Sequence, residues 1–272
     1  MREVEEYGRQ HVFLYKTSKT QSLQLTNASY IRGQLAELGR EDLMDKPPVL
    51  DRPDELTLAD VRIEPVVGGN RVVVKTIERR SYRRFIDEEQ HGNRITRTYE
   101  VIEDRAVNVA RLHPDGMLEM RIQTHASNDY SEPIESFWSL VNPIIPQRQF
   151  QQLSVSPAKQ YLWTHRKTLA QKIRYSDARF RNGAGTSLSA ATGDAQASLY
   201  DDNEAAASLD TFSKGDAYCD KSNVFWLKQD NSPPSREVHT LLEGKINEFV
   251  VTATCTRADY EYVLNELKKA NS

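Results

Sequence analysis

Two cysteines in 272 residues are the first shortage that constrains this chain. Cys219 and Cys255 allow one disulfide at most, far below the density that holds small secreted scaffolds together. Such scarcity fits reduced core thiols in an intracellular protein. The six histidines, at 11, 91, 113, 125, 165 and 239, never fall three to five apart, so the sequence holds no local metal-ligand pair. No run of about 18 apolar residues exists to form a membrane-spanning helix. The opening MREVEEYGRQ is too charged for a secretory leader. The expected location is the cytoplasm, away from membranes.

Cofactor and nucleophile signatures are missing too. Gly183-Ala184-Gly185-Thr186-Ser187 lacks the lysine and the spacing of a phosphate-binding loop, and no Gly-x-Ser-x-Gly occurs. The reading therefore includes no catalytic residue, no metal and no cofactor. Net charge is only −3, so nucleic-acid recognition would have to rest on local patches.

What is present is a dense set of strand patterns. HVFLYK (11–16) reads as a strand and YIRGQLAEL (30–38) as a helix, followed by a segment of Pro47, Pro48 and Pro53 among acids. From Val61 the period becomes two. VRIEPVV (61–67) and RVVVKTIE (71–78) flank Gly68-Gly69-Asn70, a hairpin signal. RITRTYEVI (94–102), AVNVARL (106–112) and MLEMRIQ (117–123) extend this to an antiparallel meander of about five strands. Ile134, Phe137, Trp138 and Val141 then give an apolar helical stripe that should pack on the meander.

The second half repeats the outline. A helix is expected from Pro157 to about Lys172, strands at 223–229, 237–243 and 247–255, and a closing helix from Thr256 to Lys269. The fold class is α+β: two antiparallel β-meander units, each followed by an amphipathic helix. The expected organisation is a strand–helix unit at 1–45, a linker at 46–60, the first meander with its helix at 61–146, and a second α+β unit at 147–272. That second unit contains a flexible acidic insertion at 183–217.

Charge supplies the functional candidates. IERRSYRRF (77–85) carries Arg79, Arg80, Arg83 and Arg84. As a strand it puts Arg79, Ser81, Arg83 and Phe85 on one face and Arg80, Tyr82 and Arg84 on the other. A basic two-stranded ribbon can enter a major groove or lie along phosphates. The bland alternative is an exposed hairpin whose arginines pair with nearby acids, since residues 71–112 hold ten basic and seven acidic side chains.

The stronger signal is 148–182, with eight basic residues against Asp177 alone. On the expected helix Lys159, Trp163, Arg166 and Arg174 form a stripe opposite the apolar face, with Lys167 beside it. Cations around an aromatic suit phosphate contact with base stacking. Residues 183–217 then carry six acids against Lys214, which permits neutralisation of the basic stretch within the chain. His165 falls on the apolar side of that helix and reads as a core histidine. Glu243-Gly244-Lys245, with Asp220 or Asp230 upstream, has the outline of a metal-dependent nuclease site but also that of an ordinary turn.

The first functional expectation is a non-enzymatic nucleic-acid-binding subunit. Its contacts would be Arg79, Arg80, Arg83, Arg84, Lys159, Arg166, Lys167 and Arg174, with Trp163 as a stacker. The alternative is a protein-interaction or scaffold subunit of a larger complex without nucleic-acid contact, and a metal-dependent nuclease is third; the expected partners are nucleic acid, other proteins or a homo-oligomer.

Overall fold

A computed structural model describes residues 5–124, 129–194 and 196–271; His125 lies outside them. The chain runs β1 (Gln10–Lys16), α1 (Lys19–Leu25), α2 (Ala28–Glu37), α3 (Asp42–Asp45), β2 (Thr57–Val66), β3 (Gly69–His91), β4 (Arg94–Leu112), β5 (Met117–Gln123) and α4 (Ser131–Val141). It continues through β6 (Gln151–Gln152), α5 (Ser156–Thr164), β7 (Ile173–Arg181), β8 (Ser187–Ala191), α6 (Asn203–Ser213), β9 (Tyr218–Trp226), β10 (Val238–Leu242), β11 (Glu248–Val251) and α7 (Arg257–Ala270). Two compact units result. A central unit spans Thr17–Phe150, and a terminal unit joins the chain up to Lys16 with everything from Gln151 onward. Helices and strands are mixed in both, and each strand pairing described below is antiparallel.

In the central unit β2, β3, β4 and β5 pair in chain order. The β2–β3 turn uses Gly68 and Gly69, both at positive φ, as a tight hairpin with this twist requires. At the β4–β5 turn Gly116 has φ +96°, and a Cβ there would sit 2.3 Å from the Thr17 carbonyl oxygen. Residues 71–77 and 106–112 are buried without a break, so both sheet faces are covered at this level. One face gathers Ala59, Val73, Ile77, Val107 and Val109. Asp129 accepts the Ser131 amide at the start of α4, whose Ile134, Phe137, Trp138 and Val141 are all buried as their spacing requires.

Two runs read as separate strands are one. Nothing between Ile102 and Ala106 breaks pairing, so β4 is 19 residues long and stays paired with the 23-residue β3 to its tip, with one shift of register between Phe85 and Asp87. The meander accordingly has four strands, two of them prolonged well past the core.

In the terminal unit the pairing order is β6–β1–β11–β10–β9–β7–β8. This is not a sequential meander, because β1 comes from the start of the chain and β9 pairs with β7 across the β8 hairpin. Helix α7 buries Tyr260, Val263, Leu264 and Leu267, with Thr256 capping it through the Asp259 amide at 3.1 Å. The acidic segment 183–217 is structured as β8 and α6, tied down by buried Leu199, Ala206 and Leu209. Helix α5 ends at Thr164, short of the expected 172. Arg166 turns back there and donates from both its main-chain amide and its guanidinium to the Trp163 carbonyl, taking an acceptor that a longer helix would use internally. No helix among the described residues is long and apolar enough to cross a membrane.

Candidate functional site

The early stop of α5 relocates the most basic stretch of the sequence. With the helix ending at Thr164, Arg174 belongs to β7, and the anticipated helical stripe does not form. Lys159, Trp163, Arg166 and Arg174 are all buried, with side chains turned inward. The Lys159 ammonium donates to the Asp220 carbonyl at 2.8 Å, and burial pulls its pKa down. Trp163 packs edge-on to Tyr175 and Phe180, and its indole N–H donates to Asp210 at 3.1 Å. The Arg166 guanidinium lies 4.4 Å over the Trp163 ring and pairs with the same Asp210. Arg174 sits 4.1 Å over Phe225 and donates to Glu237 at 2.9 Å. Trp163 therefore has no face available for a base, and its neighbours are partnered within the chain; Lys167 alone of this group is exposed.

The other histidine and turn candidates resolve similarly. His165 is exposed rather than in the core, and it stacks on Tyr161, one helical turn back, at 4.0 Å. In Glu243-Gly244-Lys245, Glu243 pairs with Lys221 at 2.7 Å, while Asp220 holds Arg179 at 2.6 Å. Gly244 takes φ +89°, and the Lys245 amide donates to Glu248, a turn geometry complete in itself. Among the described residues no three His, Cys, Asp or Glu side chains gather to hold a metal. Neither cysteine is in a disulfide, and burial pushes the Cys219 thiol up to about 12.

The arginines of the opening hairpin have a different setting. β2 leaves β3 at Ile77 and β5 leaves β4 at Val109, but β3 and β4 remain paired from Arg79↔Arg105 to His91↔Arg94. Twelve rungs at ~3.4 Å per residue make a two-stranded ribbon about 40 Å long. Ser81–Val101 are exposed throughout, and most of the ribbon's arginines have an acid beside them, Arg84 and Arg97 across the strands. Arg79 reaches Asp54 at 2.7 Å, Arg80 binds Glu78 at 2.8 Å, Arg84 pairs with Glu100, and Arg97 binds Glu88 at 2.6 Å. From Arg79 to Asp104 there are six arginines and six acids. Of the four sequence-selected arginines, Arg83 alone has no acidic partner among the described residues.

A bulge between Phe85 and Asp87 decides what each face shows. Up to Phe85 the face containing Arg83 alternates as the sequence implies. The extra residue shifts the phase, so Glu88 and Gln90, rather than Asp87 and Glu89, share the face of Phe85. With their cross-strand neighbours this face reads Ser81/Glu103, Arg83/Val101, Phe85/Tyr99, Glu88/Arg97 and Gln90/Ile95. Phe85, Tyr99, Val101 and Ile95 are 53%, 46%, 62% and 53% exposed, and the first two meet edge to face at 6.0 Å. The opposite face carries Arg80, Arg84, Asp87, Glu89, Arg94, Glu100 and Asp104 with Tyr82 and Ile102, and is the more heavily charged.

Two features escaped the sequence reading: the bulge, and the apolar stripe formed where Phe85 pairs with Tyr99. Ile95, Tyr99 and Val101 already alternate with polar residues in ITRTYEV, so half of the stripe was visible there. No protein-family model matches this chain, and no curated protein matches it significantly.

Proposed function

We propose that the chain is a non-enzymatic interaction subunit, and that its β3–β4 ribbon is the arm with which it engages protein. The supporting observation is the stripe of Val101, Phe85, Tyr99 and Ile95, half exposed on one face of a ribbon whose charges sum to zero. An isolated two-stranded ribbon is marginal in water, and aromatic side chains in a row along one face suit a protein surface that removes them from solvent. The setting we propose is the cytoplasm, where both thiols stay reduced.

The test is photocrosslinking. A benzophenone amino acid in place of Tyr99, in the full chain expressed in cells, should yield protease-sensitive adducts that disappear with Phe85→Asp. Nuclease-sensitive adducts, or none above a control at Lys268, would overturn the reading.

A second reading, contact with nucleic acid, rests on Arg83 and Arg94, the ribbon cations that have no acidic partner among the described residues. It requires an affinity for DNA or RNA that falls steeply with salt and is lost in Arg83→Glu/Arg94→Glu.

A further inference from the structure

We infer that the partner of the ribbon face is a second copy of the same chain, an assignment that rests on the reading of the ribbon as a protein-docking arm. The three central rungs of the face are self-complementary. Take the Phe85/Tyr99 rung as the centre. One step toward the core of the central unit lies Arg83/Val101; one step toward the tip lies Glu88/Arg97. Val101 and Arg97 are each two residues from Tyr99 on β4, and the bulge in β3 brings Glu88 to the rung opposite Arg97.

A two-fold axis in the plane of the interface, across the strands at the central rung, reverses the direction of the ribbon and lays β3 on β3. Phe85 then meets Phe85, Tyr99 meets Tyr99, and Arg83 of each copy lies over Glu88 of the other. Arg83, which has no acidic partner among the described residues of its own chain, gains one. Glu88, already bound to Arg97 at 2.6 Å, becomes the centre of an Arg–Glu–Arg group. Val101 covers the stem of the facing Arg97. Each ion pair forms twice, as a two-fold contact requires. Without the bulge Asp87 would stand opposite Arg97 at this level, so the acid that faces Arg83 would change from Glu88 to Asp87.

The same axis sends the two central units to opposite ends of the paired ribbons, so neither obstructs the other. The alternative two-fold, parallel to the strands, would place both units at the same end; it lays Glu88 over Arg97 of the other copy but sets Arg83 over Val101, leaving that cation without an acid. The favoured arrangement is thus also the one that the ribbon's attachment permits.

Size sets the strength. A face about 40 Å by 10 Å on each of two copies buries roughly 800 Å², below the ~1,200 Å² typical of stable complexes. The pairing is therefore a weak, concentration-dependent dimer, readily shifted by salt and by single charge changes on the face.

The experiment is sedimentation equilibrium of the purified full chain from about 5 to 500 µM, on the wild type, Arg83→Glu, Glu88→Arg and the double variant. The expected result is a monomer–dimer equilibrium weakened about tenfold or more in either single variant, where like charges face each other, and recovered in the double variant. All four proteins should show the same circular dichroism and nearly the same melting, Glu88→Arg losing only the exposed pair with Arg97. A wild type that stays monomeric to 500 µM, or single variants that dimerise as well as the wild type, would overturn the assignment. Failure to recover in the double variant would overturn the two-fold register. The outcomes separate this assignment from the reading beneath it. A monomeric chain whose position 99 still crosslinks to a different protein removes the second copy and keeps the docking arm, whereas absence of any protein adduct removes both.

Discussion

The ribbon at 79–104 and the segment at 159–174 look alike in sequence, each with several arginines or lysines around an aromatic residue, yet they occupy opposite environments. In the second, the cations are interior parts: Arg166 caps the end of α5 and holds Asp210, Arg174 bridges Phe225 and Glu237, and Lys159 reaches a main-chain carbonyl. In the first, beyond the partly buried Arg80, they are a wet surface on which Arg84 and Arg97 are balanced by cross-strand acids. Local charge density therefore says little about ligands until burial is known. A long cation can contribute its stem to packing and its head to an internal acceptor, and from sequence that is indistinguishable from a solvent-facing patch.

The contrast can be broken or sharpened by substitution. The largest effect belongs to the buried ionic group beside the β4–β5 turn, at the end of β4 away from the ribbon. There Glu119 binds Arg111 at 2.7 Å and also engages His113. Glu119→Gln strands a buried guanidinium and should cost about 3–5 kcal/mol in chemical denaturation. The same group sets an acid limit. Burial alone would raise the Glu119 pKa, but Arg111 and the His113 hydrogen bond outweigh it and hold the carboxyl well below its ordinary value. Its contribution to stability is thus complete above the ordinary carboxylate range and is lost as pH falls through and below that range. Denaturation between pH 7 and 3 should show this decline in the wild type and a flatter one in Glu119→Gln.

Arg166→Ala comes next, at about 2–3 kcal/mol. It removes a helix cap and a pair whose acid, Asp210, is partly solvated and so partly relieved by water. Lys167→Ala, one residue on, should be neutral in the same assay. On the ribbon the effects shrink further. A double-mutant cycle on Arg84 and Glu100, both exposed, should yield a coupling of about 0.2–1 kcal/mol. Smallest of all is Arg83→Glu, expected to leave the melting temperature within about 1 °C while altering association.

Much of the framework was legible because periodicity reports directly on burial. The hairpin at 68–70, the stripe of α4 and the stripe of α7 needed only spacing and turn chemistry. The site was less legible for three physical reasons. The length of α5 depends on Arg166 folding back, a side-chain event without a periodic signature. The sharing of Asp210 between Trp163 and Arg166 joins residues 44 apart or more. The face of the ribbon depends on a one-residue bulge, which inverts every later side chain without changing composition.

The central claim is that the ribbon is a surface that becomes covered, while the 159–174 cations are already interior. Amide hydrogen exchange followed by mass spectrometry on the full chain, at about 5 and 500 µM, tests both halves at once. Protection over residues 82–101 should increase with concentration, while peptides covering 156–181 should exchange slowly and identically at both. Equal exchange of the ribbon at the two concentrations, or concentration-dependent protection at 156–181, would contradict the account.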